Sequence, residues 1–276
     1  MTKNLSVLIT GCSTGIGFDT AITLSDMGYN VFATARKQSD VDKLKTLDLQ
    51  AYQLDLMDET SIEQAFNWVI EQTGGELYAL FNNGAYGQAG ALEDLPSQAL
   101  KEQFQTNVFG WHFLTTLVIP IMRKQGFGRI IQNSSVLGLV AMPYRGAYNA
   151  SKFAIEGYTD TLRLELTGSG IQVILIEPGP IETQFRANAL AKTREFIDVE
   201  NSAHKENYKI QIDRLSKEEG GNKFTLPASA VTEKVIHALS SKKAKTRYYV
   251  TKPTYIMAFL KRILPFTWLD KILIKG

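Results

Sequence analysis

The segment "GAYNASKFAIEGY" (146–158) sets Tyr148 and Lys152 four residues apart at what reads as the start of a helix. Residues i and i+4 share a helix face, so the phenol and the ammonium can approach each other. A neighbouring cation favours the phenolate, so Tyr148 is expected to have a lowered pKa and to act as a general acid/base near neutrality. The spacing recurs at Tyr248 and Lys252 in "YYVTK", so the pair alone defines no site. A half-buried aromatic beside a solvated lysine would look the same. Asn107 adds a second polar group, inside the apolar helical run "FQTNVFGWHFLTT", where an amide needs a reason.

A different chemistry is written near the start. "LITGCSTGIGFDTA" carries Gly11, Gly15 and Gly17 between an apolar strand and a helical pattern. Glycine permits positive φ and close backbone approach, so main-chain N–H groups from Gly11 through Ser13, Thr14, Gly15, Ile16 and Gly17 can meet a pyrophosphate at a helix N-terminus. The spacing is G-x-x-x-G-x-G, not the commoner G-x-G-x-x-G. After the second strand, "FATARKQ" presents Arg36 and Lys37 where an NAD enzyme places a carboxylate for the ribose 2′-hydroxyl. Cations at that point suit a 2′-phosphate, which arginine can grip bidentately. NADP(H) is therefore the expected cofactor and NAD the alternative.

These groups need a scaffold, and the chain alternates between short β-rich runs and longer helical ones. Strands are expected at 6–10, 30–35, 51–56, 77–82, 128–135, 171–178 and 246–251. Their unbroken apolar character suits a parallel sheet covered on both faces. Helices are expected at 15–28, 39–47, 59–73, 97–125, 147–167 and 228–240. This rhythm predicts an α/β fold, a doubly wound parallel sheet of the Rossmann type in three αβα layers. Residues 1–252 form one catalytic domain in this reading. Within it, 181–226 is polar, with a helical "QFRANALAKTREF" and a flexible-looking "KEEGGNK"; it is expected to be a substrate lid, or else a plain surface insertion.

Composition removes several function classes. A net charge of +2 leaves no basic footprint for nucleic acid. The single cysteine, Cys12, cannot form an intrachain disulfide and fits a reducing compartment. His112, His204 and His237 have no metal-ligand spacing. "MTKNLSVLIT" holds no signal peptide, and no apolar run reaches the ~18 residues of a membrane span, which predicts a cytoplasmic protein.

Over about residues 5–250 the sequence resembles the short-chain dehydrogenase/reductase family. The likeness rests on motifs in the family's order: "TGCSTGIG", "LDL" with Asp55, "NNGA" (82–85), "NVFG" with Asn107, "NSS", "YNASK" and "PGPIET" with Thr183. "NNGA" reverses the usual N-N-A-G, a small-for-small exchange expected to need a local adjustment. The family's serine lies thirteen residues before its tyrosine, which selects Ser135 over Ser134. Neighbours on a strand point to opposite faces, so Ser134 is expected to be structural.

The resemblance implies hydride transfer between a nicotinamide and a carbonyl or alcohol carbon. Tyr148 would then give or take the proton, and Lys152 would lower its pKa and hold the nicotinamide ribose. Ser135 would bind the substrate oxygen, and Asn107 would hold a water that relays protons to Lys152. Asp55 would meet the adenine, Asn83 would line the cofactor, and Thr183 would contact the carboxamide. Candidate pocket residues are Tyr86, Gln88, Leu137, Met142, Pro180 and Phe185, mostly apolar, which suits a small hydrophobic aldehyde, ketone or alcohol. Family members nearest in pattern are bacterial aldehyde reductases and, further off, 17β-hydroxysteroid and retinol dehydrogenases. The alternative is a non-catalytic NADP-binding sensor on the same fold. A homodimer or homotetramer through the long helices is expected. The tail 253–276 reads as amphipathic and basic, suited to a membrane surface, to the substrate pocket or to a second subunit.

Overall fold

The computed structural model describes residues 4–216 and 223–274. Residues 217–222, most of the "KEEGGNK" stretch, and Lys275 lie outside them. Seven strands form one sheet: β1 (Ser6–Ile9), β2 (Asn30–Ala35), β3 (Gln50–Gln53), β4 (Ala79–Asn82), β5 (Gly128–Asn133), β6 (Ile171–Glu177) and β7 (Arg247–Tyr249). Their order is β3-β2-β1-β4-β5-β6-β7, and every pair is parallel. The chain starts mid-sheet, winds to one edge, then returns past β1 to build the other half. That reversal leaves a crevice at the carboxyl ends of β1 and β4, where open α/β sheets take ligands.

Side-chain alternation builds the two core layers. Val7 and Ile9 face one side with α1 (Gly15–Asp26), α2 (Gln38–Lys45) and α9 (Ser229–Ser240). Leu8 and Phe32 face the other, with α3 (Glu59–Gln72), α5 (Gly110–Gln125) and α6 (Gly146–Glu165). Each fully buried side chain of this size contributes about 1.5–3 kcal/mol. The three-layer reading of the sequence holds.

Two expectations need correction. The helix expected over 97–125 is α4 (Ser97–Phe104), a π-turn (Gln105–Phe109) and then α5. Apolar periodicity runs straight through the break, so the sequence conceals it. Gly110 shows one packing constraint there, since a Cβ on it would stand 2.2 Å from the Leu56 carbonyl oxygen. The strand expected over 51–56 ends at Gln53, because Asp55 starts a turn: its Oδ1 accepts from Met57 N at 2.9 Å.

The 181–226 segment contains α7 (Phe185–Phe196) and α8 (Lys205–Ser216). The tail folds as α10 (Lys252–Ile263) and α11 (Phe266–Leu273), separated because Pro265 holds Leu264 in an extended conformation. Among the described residues no helix is long and apolar enough to cross a membrane.

Candidate active site

The glycine turn is fastened to the end of β4 from several directions. Thr10 Oγ1 accepts from the main-chain N–H groups of Asn83 and Gly84, each at 2.9 Å. Asn83 Nδ2 donates to the carbonyls of Thr10 (3.0 Å) and Gly11 (3.2 Å). Gly11 has φ +72°, and a Cβ there would sit 2.5 Å from Gly84 Cα. Two glycine backbones thus meet face to face, which explains why the small residue at 84 is glycine in "NNGA". Gly15, at φ +60°, leaves room for Thr183, whose Cγ2 would be 2.9 Å from a Cβ on it. Gly17 abuts the Gly11 carbonyl.

The donor set fits a dinucleotide. Ser13 and Thr14 are exposed at the head of α1, whose first turn carries no acid. Ile16 instead packs against the core. Arg36 and Lys37 are exposed just beyond β2, and among the described residues neither makes an ion pair. Cys12 is spent on the fold: its thiol donates to Ile9 O at 3.3 Å, and burial pushes its pKa up to about 12.

On α6, Tyr148, Lys152 and Glu156 follow one another at i, i+4 and i+8 along a single face. Lys152 is fully buried, with Nζ 4.5 Å from the centre of the Trp111 ring and 5.6 Å from that of Tyr148. It donates to the Asn133 carbonyl at 2.7 Å. Ser135, just past β5, acts on the Tyr148 phenol and lowers its pKa, while its Oγ accepts from Leu137 N at 3.1 Å. Ser134 turns the other way and donates to Glu156. Asn107 sits in the π-turn, completely buried. Its Nδ2 reaches Tyr86 O (3.0 Å) and Ser151 Oγ (3.1 Å), and its Oδ1 accepts from Tyr86 N (3.2 Å). Ser151 is thus its hydrogen-bond partner on α6.

The expected acidification of Tyr148 is not found. Burial pushes the phenol up to about 12, and the Ser135 hydrogen bond only partly offsets it. Burial likewise drives Lys152 down to about 7, opposed by Glu156. Desolvation penalises both charged forms and is the largest cause of each shift. The pair is legible in the sequence, but its enclosure by Trp111 and by the end of β5 is not.

The pocket candidates divide into two groups. Phe185 opens α7 and meets the Tyr148 ring edge-on, centroids 5.1 Å apart. Gly87 lies beneath, and a Cβ there would be 2.5 Å from Phe185 Cζ. Leu137 and Met142 pack with Tyr148, α10 and α11. Pro180 accepts from Leu226 N at 3.2 Å, tying the start of the 181–226 segment to its end. Tyr86 and Gln88 make contacts with α7. Lys192 Nζ lies 5.7 Å from the Tyr86 ring centre, and Gln88 Nε2 donates to Ala89 O (2.9 Å) and Lys192 O (3.3 Å). These two hold α7 against the loop after β4. Lys192 completes the fastening with an ion pair to Glu102 on α4 at 3.2 Å.

Sequence reasoning missed Asn133 and Trp111, which build the lysine's niche. Asn133 also donates from Nδ2 to Asn83 Oδ1 at 2.8 Å, linking the two halves of the site. The signal for Trp111 was its place four residues after Asn107, one turn along the same helical run. Arg145, Arg186 and Arg214 were missed as well. They approach one another from the start of α6, from α7 and from α8, and burial with mutual repulsion lowers Arg145 to about 10.

Comparison with known proteins identifies the family. Residues 5–194 match the short chain dehydrogenase family. The chain is 42% identical over 268 residues to YbbO of Escherichia coli K12, an uncharacterized oxidoreductase, covering 97% of this chain and 93% of that one. Retinol dehydrogenase 8 of Bos taurus is 37% identical over 206 residues, 69% of this chain and 64% of that protein. The fold is similar to actinorhodin polyketide ketoreductase solved with NADPH: TM-score 0.72, 26% identity, 90% of this chain and 95% of that one. The chain therefore belongs to the short-chain dehydrogenase/reductase family and is an oxidoreductase.

Proposed function

We propose that the protein is an NADP(H)-dependent carbonyl reductase that converts a hydrophobic aldehyde or ketone to its alcohol, with Tyr148 as proton donor. The observation that carries this reading is the juxtaposition of three groups: the Tyr148 ring, with Phe185 edge-on at 5.1 Å, the Lys152 ammonium 5.6 Å from the centre of that ring, and Ser135, which acts on the phenol from the end of β5. A bound NADPH supplies the hydride. The chain's own residues manage the oxygen. Ser135 donates to the carbonyl oxygen as negative charge grows there, and Tyr148 delivers the proton that completes the hydroxyl. Lys152 restores that proton and, as in the resembling family, holds the nicotinamide ribose.

The pKa directions favour reduction. At about 12, Tyr148 is protonated at neutral pH, the form that reduction consumes. Oxidation would need the phenolate, so its rate should climb with pH while the reductive rate stays flat. Gly11, Ser13, Thr14, Gly15, Ile16 and Gly17 receive the pyrophosphate, Arg36 the 2′-phosphate, Asp55 the adenine and Thr183 the carboxamide. Support for the 2′-phosphate is the exposed Arg36–Lys37 pair. Phe185, Leu137 and Met142 give the cleft its apolar wall, and α7–α8 act as the lid. The reading includes a cytoplasmic homodimer or homotetramer paired through α5 and α6. The non-catalytic sensor has no observation in its favour.

The test is a panel of aldehydes, ketosteroids and retinal, assayed with NADPH and with NADH by loss of reduced-nicotinamide absorbance. Turnover of apolar carbonyls with NADPH preferred is the expected result. Absence of turnover across the panel with either nucleotide, from folded protein that binds NADPH, would contradict the reading.

A further inference from the structure

The two tail helices have opposite faces. Inward, Leu269 and Leu273 are buried against Val136, Leu137 and Val140, the segment that follows Ser135. Outward, α10 carries Tyr255, Ile256, Phe259 and Ile263, all exposed. At about 100° per residue these four fall within roughly 100° of arc, one continuous stripe. On α11, Phe266 is 80% exposed and Trp268 61%, with Ile274 at 72% just beyond. Single exposed apolar side chains are ordinary; aromatic and aliphatic groups gathered on two consecutive helices mark a contact surface.

The charges on these helices choose the partner. Lys252, Lys261, Arg262 and Lys271 are exposed around the apolar groups, and Asp270 is the one acid on α10 and α11. A second copy related by a two-fold axis would bring the same cationic rim against itself. Anionic headgroups complement it, and each Lys or Arg near such a surface strengthens binding about fivefold. Neither helix can span: at 1.5 Å per residue the longer, of 12 residues, reaches about 18 Å of a ~30 Å hydrocarbon core. A helix with these faces lies in the plane of the interface, its rings at headgroup depth.

We propose that α10 and α11 seat the protein on the surface of an anionic lipid bilayer, with Phe259, Phe266 and Trp268 entering it. The inner face of the same helices walls the candidate pocket, so the pocket lies about one helix diameter, ~10 Å, from the lipid. On the reductase reading above, that suits carbonyl substrates dissolved in membrane.

The test uses the full chain with vesicles of phosphatidylcholine alone and of phosphatidylcholine mixed with phosphatidylglycerol. The protein is expected to sediment with the mixed vesicles, to release as salt rises, and to show blue-shifted, bromolipid-quenched emission from Trp268. Of the other two tryptophans, Trp111 is buried and Trp68 half-buried. The triple variant Phe259→Gln, Phe266→Gln, Trp268→Gln should lose about a hundredfold or more in partition coefficient with an unchanged melting temperature. Lys261→Glu with Lys271→Glu should weaken binding to the mixed vesicles alone. Wild-type protein that stays in the supernatant with mixed vesicles would overturn the proposal. So would a dimer that the triple variant splits and that leaves no lipid binding behind. Vesicle binding is read without turnover, so its failure would leave the reductase reading standing.

Discussion

Lys152 exchanges its hydration shell for one carbonyl oxygen and the faces of two rings. That exchange lowers its pKa from 10.5 to about 7. Between those values the unfolded chain holds a proton that the folded chain has released, so stability rises with pH across that window. Lys152→Met should remove this rise, and melting temperatures of the two proteins from pH 7 to 10 measure it; parallel curves would contradict the assignment. Arg36 is the residue where cofactor choice is tested. Arg36→Ala should raise KM for NADPH about tenfold or more and leave KM for NADH nearly unchanged, because one charge-assisted contact to phosphate is lost. The types and spacing of these groups were readable because they are local. The sign of the Tyr148 shift was not, because its burial comes from Phe185 on α7 and from the apolar cluster of Val136, Leu137 and the tail helices, brought in by other elements. Tyr248 and Lys252 part company in the same way: the phenol bonds His237 Nδ1 at 2.7 Å, while the lysine is exposed.

At the scale of elements, the start of α7 and the loop after β4 are set against each other at Phe185 and Gly87. Gly87→Ala would push on the Phe185 ring and shift the lid from Tyr148. The expected result is a loss of about tenfold to a hundredfold in kcat/KM for the carbonyl with little change in NADPH binding. Steady-state kinetics with either reactant varied would separate the two effects, and equal losses on both would contradict this account. The π-turn that carries Asn107 escaped the sequence because the apolar run continues unbroken across it. The division of the tail at Pro265 is a proline rule, but where each half packs depends on the Ser135 loop, distant in sequence.

Across the whole molecule, strand–helix alternation announced the doubly wound sheet, and the order of the motifs placed the glycine turn and the tyrosine helix on one rim. What fastens the tyrosine helix to the far edge of the sheet is less legible. Arg247, at the head of β7, binds Glu156 and Asp160 on α6 and Glu177 at the end of β6. Glu177 is completely buried, and burial beside Glu156 holds its pKa well above the ordinary carboxylate range. One cation thus serves three acids. Arg247→Met would leave the buried carboxylates uncompensated and should cost about 3–5 kcal/mol in denaturant unfolding; a loss below about 1 kcal/mol, the scale of a surface pair, would show the cluster to be peripheral.

The central claim is that the Tyr148 hydroxyl supplies the proton when a carbonyl is reduced. It is tested most directly by Tyr148→Phe, with NADPH turnover of a good carbonyl substrate measured beside NADPH binding by fluorescence. The account predicts turnover lower by about 10²–10⁴-fold with nucleotide affinity unchanged. Turnover at the wild-type rate would contradict it.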